Sequence, residues 1–492
     1  MSQLFARKPI ADLVVGDEAR SLKRVLGAGD LIMLAIGAVI GAGIFGAIGT
    51  AAAGQVGPDG VVIRYGAGPA LVFSFILLGG VCALAALCYA ELASMIPQAG
   101  SAYAYSYATL GEVVAWIIGW DLILEYAVGN VAVAISWGDY FTTLLRGVGI
   151  DLPAFLTTGY RTALLSSSPD VHGLIEAAPR ILGMPFLVNL PAFGIVMLIT
   201  WLLLRGARES STVNAVMVTI KLVVLALFIV VGLMNLDPAH YTPFAPNGFT
   251  GIHQGAAIVF FAYIGFDAIS TAAEETRNPQ RNLPIGILGG LAICTLIYVI
   301  VGVVLTGLVP YQELAVADPL SRALEIAGFT RVGWIVALGA SVSMATVLLV
   351  FQYGQPRIFF AMARDGLLPQ WAARLNSKRI PSTTTLVTGV LVALAALVGD
   401  AAETYDLTNI GTLFAFALVC AGVMVLRVKE PERPRPFAVP FVWVTAPLGI
   451  AACLFVMAGL PYQAWERFGI WIVVGLILYG AYGHRHSRLH RA

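Results

Sequence analysis

The chain has 492 residues, of which 59% are hydrophobic and only 12% charged, with a net charge near +1 and a mean hydropathy of +0.84. Soluble domains carry about 25% charged residues, so the composition excludes a soluble enzyme or a nucleic-acid-binding module and requires an integral membrane protein. Continuous apolar runs, in place of short alternating strands, exclude a β-barrel and leave an all-α bundle.

Residues 1–28 come first and are polar. They hold no apolar core of about 7–15 residues ahead of a cleavage site, so they read as a tail and not as a signal peptide. Runs of about 20 apolar residues, the length that crosses the hydrocarbon core, then fall at 29–53, 68–93, 112–142, 186–205, 210–234, 249–273, 284–309, 331–362, 382–399, 404–428, 440–461 and 468–484. Twelve transmembrane helices are expected, with 485–492 as a second tail. With the N-terminus inside, 21 of the 29 lysines and arginines fall on inner segments and 7 on outer ones. That bias places both termini in the cytoplasm. The five cysteines, Cys82, Cys88, Cys294, Cys420 and Cys453, all lie in spans without a paired spacing, and read as small buried residues. No Asn-x-Ser/Thr sequon occurs. That disfavours a glycosylated eukaryotic surface protein, and a bacterial cell (inner) membrane is expected.

Spans one and six differ from the rest. Span one reads LAIGAVIGAGIFGAIG, with glycines at 37, 41, 43, 46 and 49; span six reads VFFAYIGFDAIS, with Gly265 followed by Asp267. Two interrupted helices in corresponding positions of two halves point to a transporter of inverted repeats with its site at the breaks. The repeats are then 29–234 and 249–428, with 440–484 appended. Unwound backbone at membrane depth survives only where it is buried in protein or lines a cavity. Its amides can hold an anion and its carbonyls a cation. An amino acid offers one of each. The α-carboxylate is assigned to the amides of Gly41, Ala42 and Gly43. The ammonium is assigned to the carbonyls of Val39, Ile40, Phe261, Ala262 and Ile264. Gly37 and Gly41 alone would equally suit close helix packing. Phe261 and Tyr263 flank the second break, where an aromatic ring can cap a substrate or simply pack.

Lys221 stands alone at the midpoint of span five. An ammonium at that depth costs about 2.5–3.5 kcal/mol even on a lenient scale, and a buried lysine trades its proton readily. It is the candidate for proton coupling. In span three Asp121 and Glu125 are one helical turn apart and share a face. Glu125, the deeper, is the stronger candidate for a substrate or proton contact. No nucleophile–base pair and no metal-ligand cluster stands out, so neither an enzyme nor a metal site is expected, and no cofactor beyond the proton.

At these residues the chain resembles the amino acid–polyamine–organocation (APC) transporters, closest to the cationic amino acid transporters and their bacterial relatives. The stretches that carry the resemblance are GAVIGAGIF, YAELASMIPQAGSAYAYSYATLGE, IIGWDLILEYAVG, FFAYIGFDAISTAAEETRNPQRNLPIGI and GQPRIFFAMARDGLLP. It implies a five-plus-five inverted-repeat fold, alternating access, and amino acid uptake driven by protons. It implies that Gly41 to Gly43 hold the carboxylate, that Phe261, Ala262 and Ile264 hold the ammonium, and that Phe261 is the outer gate. It implies that Lys221 stands where sodium-coupled relatives bind sodium and ties spans one, five and eight together. Met344 falls where the side-chain pocket is set, a bulky residue that favours small neutral substrates; gap-filling in the bundle is the alternative. Ala42 departs from the Ser or Thr of many relatives, which removes a hydroxyl from the carboxylate site. The expected function is a proton-coupled symporter of small neutral L-amino acids in contact with lipid. A cationic amino acid or polyamine transporter, a proton-independent exchanger, and a sensor that binds amino acids without moving them are the alternatives. Oligomeric state is left open by the sequence.

Overall fold

The computed structural model describes residues 6–9, 24–96, 101–166, 168–181, 183–205, 211–376 and 380–490. Most of the expected N-terminal tail lies outside the described residues. So do the PQAG stretch of the second quoted motif, the start of the expected fifth span, and the last two residues of the C-terminal tail.

A helix lies at each of the twelve expected positions. They are α1 (Ala28–Val39 and Gly43–Ala53), α2 (Gly68–Met95), α3 (Glu112–Gly147), α4 (Leu190–Arg205), α5 (Ser211–Leu233) and α6 (Gly248–Ser270). They continue with α7 (Pro279–Leu308), α8 (Thr330–Arg364), α9 (Ser382–Val398), α10 (Ala401–Lys429), α11 (Val442–Met457) and α12 (Tyr462–His486). Among the described residues, eight of these are long and apolar enough to cross a membrane, nine with the two halves of α1 taken as one bent span. The other three, α4, α9 and α11, have 16, 17 and 16 residues. Helix α4 starts at Leu190, later than the expected 186; α9 spans nearly the whole expected run from Ser382, directly after Pro381; and α11 ends at Met457, short of the expected 461. Helix α12 begins at Tyr462, six residues earlier than expected, directly after Pro461.

Local chemistry sets several helix starts. Asp30 in the first turn of α1 accepts the Gly27 amide at 2.9 Å. Asp400 caps α10 by accepting the Glu403 amide at 3.0 Å. Helix α7 opens on Pro279, where the missing N–H would have had no partner anyway.

Several elements were not foreseen. Residues 54–65 form a hairpin of β1 (Gly54–Val56) and β2 (Val62–Tyr65). Short helices run over Ser101–Thr109 and Pro319–Ile326. The stretch between α3 and α4 contains further short turns of helix and a hairpin of two two-residue strands.

The packing has a regular feature. Helix α2 lies along α7, α3 along α8, and α4 along α9, each pair five apart in sequence, and the break region of α1 meets that of α6. Helix α5 leans on α8 and α1, and α10 on α11 and α3. Described residues near both ends of the chain, Lys8 and Arg488, meet Asp365 at one face of this bundle, the terminal face. There the backbone of Val25 and Leu26 bonds to Glu275, Arg277 bonds back to Leu26, and Lys8 meets Asp365 at 2.9 Å. At the opposite face Arg64 of β2 meets Asp406 at 2.5 Å, and Glu403 takes both Arg161 and Arg467.

Candidate functional site

Both expected breaks are present, and they touch. Helix α1 bends by 46° between its halves. Ile40 leaves the helix with φ −77° and ψ 101°, and the amides of Ile44 and Phe45 are the first to bond back, both to the Gly41 carbonyl. The amides of Gly41, Ala42 and Gly43 therefore stand at the open N-terminal end of the second half-helix, where they have no intrahelical acceptor. In α6 the α-helix ends at Val259, a tight turn covers Phe260–Tyr263, and Ile264 is extended. Gly265 has φ +112°, a region that favours glycine.

Glycine at two positions is what allows the breaks to meet. A Cβ on Gly43 would strike the backbone of Ala262, and one on Gly265 would sit 3.0 Å from the Ala38 carbonyl. A Cβ on Gly41 would press on Val347 of α8 at 2.7 Å. The spacing of glycines in the sequence thus marks a real crossing of two unwound segments.

Lys221 is fully buried, and its ammonium donates to the carbonyls of Gly37 at 2.8 Å and Ile40 at 2.9 Å. These are charge-assisted bonds to backbone that the break has freed, which offsets part of the cost of burial. Ser343 of α8 donates to the same Ile40 oxygen at 2.9 Å. Lys221 thus links spans one, five and eight through one shared carbonyl.

That arrangement corrects one expectation. A carbonyl oxygen has two lone pairs, and both on Ile40 are engaged here, so Ile40 is an anchor for Lys221 and not a free acceptor for an ammonium. The carbonyls of Val39 and Ala262 share the hydroxyl of Tyr298 on α7, at 3.0 and 2.8 Å, each with one lone pair remaining. The Phe261 carbonyl receives the Ile264 amide at 3.4 Å. Ile264 itself is buried at the break.

Phe261 is almost wholly buried, with its ring 4.6 Å from that of Tyr405 on α10. Tyr263 points elsewhere: its hydroxyl donates to the Phe75 carbonyl of α2 at 2.8 Å, and its ring packs against Tyr298. Met344 is fully buried. It follows Ser343, and Val347, three residues on, shares its face of α8 and fills the space opposite Gly41.

Glu125 lies in a widened turn of α3, Leu124–Val128. One carboxyl oxygen accepts from Thr412 of α10 at 3.3 Å; the other has no hydrogen-bond partner among the described residues. Beside it is the carboxyl of Asp267, just past the α6 break, which accepts from Ser101 at 3.4 Å. Asp121 is buried against Gly411. The structure thus places Glu125 beside Asp267, a residue the sequence had marked only as following the break.

Tyr298 and Ser343 were missed altogether. Their signal was faint: a lone tyrosine in LAICTLIYVIVG, and a serine beside Met344 in SVSMATV. Each is a hydroxyl in an apolar helix, and such a group looks for a partner.

This geometry, two unwound segments crossing in a helical bundle with a buried lysine behind one of them, is that of a multi-pass membrane transporter. The profile of the amino acid permease family matches residues 26–478. The chain is 44% identical over 492 residues to the methylthioribose transporter of Bacillus subtilis (strain 168), with the whole of both chains covered. It is also 44% identical over 492 residues to the branched-chain amino acid permease BcaP of the same organism, with 99% of each covered. Against the vacuolar cationic amino acid transporter 4 of Arabidopsis thaliana it is 38% identical over 444 residues, 88% of this chain and 68% of that one. The chain belongs to the amino acid permease family of the APC superfamily.

Proposed function

We propose that the chain is a proton-coupled symporter that carries neutral L-amino acids with small or apolar side chains by alternating access. The observation that carries the coupling is Lys221. Its ammonium donates to the carbonyls of Gly37 and Ile40, where the backbone of α1 unwinds. Protonated, it draws α1 towards α5; neutral, it loses its charge-assisted grip on two carbonyls. A proton taken or lost there changes the packing of the substrate-binding break directly.

The substrate carboxylate goes to the amides of Gly41, Ala42 and Gly43. The ammonium goes to the free lone pairs of Val39 and Ala262 and to the Ile264 carbonyl. Met344 fills the space where a long side chain would extend, and the permease named for branched-chain amino acids, identical at 44% of positions, supports the apolar preference. The pairing of helices five apart supports a five-plus-five inverted-repeat bundle of twelve spans. The loop charge bias supports cytoplasmic termini in a bacterial cell membrane. A cationic substrate is disfavoured by the apolar Met344, although relatives bear that name. The methylthioribose transporter favours a second reading, a thioether sugar in the same cavity.

The test is uptake into proteoliposomes of labelled alanine, leucine, arginine and methylthioribose, with and without an inward proton gradient. Gradient-driven accumulation of alanine or leucine is expected. Arginine-only or methylthioribose-only uptake would overturn the substrate reading, and uptake indifferent to the gradient would overturn the coupling.

A further inference from the structure

Four helices meet above the breaks, on the side away from the termini. Ser136 of α3 and Tyr405 of α10 share a hydrogen bond of 2.5 Å between their hydroxyls. Both are almost fully buried. Gly46, in the second half of α1, lies directly beneath: a Cβ there would sit 2.9 Å from the tyrosine hydroxyl and 3.0 Å from the serine hydroxyl. The ring of Tyr405 lies 4.6 Å from the ring of Phe261 on α6. An edge atom of the Phe261 ring faces Gly129 of α3, where a Cβ would be 3.7 Å from it.

The spacing shows that this is one seam. Gly129 and Ser136 are seven residues apart, so they share a face of α3. Tyr405 and Thr408 are three apart on α10, and Thr408 is the residue that meets Gly129. Helix α10 therefore lies on α3 along two steps, Thr408 on Gly129 and Tyr405 on Ser136, with the Phe261 ring held between them. Asp406, next to Tyr405, takes Arg64 of the hairpin at 2.5 Å and covers the seam from outside.

We propose that Tyr405 and Ser136 form a clip that holds the Phe261 gate shut. Tyr405 acts through Phe261 and is a positioning residue. It contributes a wall for the ring and a hydroxyl that pins the wall to α3. Breaking the hydroxyl bond frees α10 to lean away from α3, and the Phe261 ring then loses its wall. The assignment rests on the reading of the crossed breaks as the substrate site, with Phe261 as its cover.

The clip has a readout that needs no substrate. Val133 lies on the same face of α3, between Gly129 and Ser136, and is fully buried. A Val133→Cys reporter is reconstituted, and its labelling by a membrane-impermeant maleimide is timed. Labelling of the chain without the reporter is subtracted, since the native cysteines are buried. Tyr405→Phe, which keeps the ring, and Ser136→Ala are each expected to raise the labelling rate about two- to tenfold, the worth of one hydrogen bond. The double variant is expected to match either single one, because the same bond is lost. In uptake, KM is expected to fall as the open state becomes more populated, and the maximal rate to fall with slower closure. Labelling unchanged in both singles would overturn the clip, as would a lowered Tm without a change in labelling or KM. Additive effects in the double variant would also overturn it. Faster labelling in a protein that moves no amino acid would leave the clip standing and remove the transport reading instead.

Discussion

The break in α1 and the break in α6 are built alike but held differently. Each interrupts a helix with glycine, and each is buried in the bundle. The carbonyls of the first are held by an ammonium, Lys221, together with the hydroxyls of Ser343 and Tyr298. The carbonyls around the second take neutral donors: Tyr298 on Ala262, and the Asn409 amide on Ala257 and Ile258 at 2.8 and 3.0 Å. A change of protonation at Lys221 therefore acts on the first break and leaves the backbone contacts of the second in place. Under the proposed coupling, the proton acts at one lip of the site and reaches the other through the hydroxyl of Tyr298 that both share.

The strongest way to break this comparison is Lys221→Ala. Gradient-driven accumulation in proteoliposomes is expected to vanish, while exchange of labelled for unlabelled substrate persists. Retained accumulation would show that the asymmetry of the two breaks is not where coupling resides. Next in size is Gly43→Ala. The added methyl is driven into Ala262, and overpacking of about 1–3 kcal/mol corresponds to a roughly five- to 150-fold rise in KM. An unchanged KM would mean that the breaks do not bind substrate at their contact.

Tyr298→Phe should cost less. It removes a hydroxyl worth about 1 kcal/mol, and a drop in turnover of about fivefold is expected, measured as initial uptake rate at saturation. No drop would show that the two breaks move independently. Met344→Ser sharpens the substrate side of the comparison: uptake of longer side chains should rise relative to alanine, and an unaltered profile would remove Met344 from the pocket.

The smallest expected effect lies outside both breaks. Asp318, half-buried in the loop before α8, accepts from Thr143 at 2.8 Å, and partial burial pushes its carboxyl up to about 6. A raised acid favours the folded state most where it is protonated. Its contribution is complete below the ordinary carboxylate range and is lost as pH rises through about 6. Asp318→Asn should flatten the fall in Tm between about pH 4 and pH 7. A fall as steep as in the wild type would place the pH dependence elsewhere.

Legibility followed the range of each interaction. The helices and the two breaks were readable because apolar length and glycine spacing are local signals. Lys221 was readable because a lone charge at membrane depth needs a reason. Nothing in the sequence showed that Ile40 would be saturated by Lys221 and Ser343, because that depends on which faces of α5 and α8 turn to α1. Tyr298 and the pairing of Glu125 with Asp267 were hidden for the same reason. Between capping and packing, Tyr263 packs: its hydroxyl donates to Phe75 on α2.

One hydroxyl carries a mechanical consequence. Because the one proton of the Tyr298 hydroxyl is shared by the carbonyls of Val39 and Ala262, parting the two lips of the site leaves one of those buried carbonyls without its donor. The cargo cavity is thereby fastened as a single jaw. In the proposed transport cycle, that tie favours access granted by what moves around the site over the site coming open down its middle.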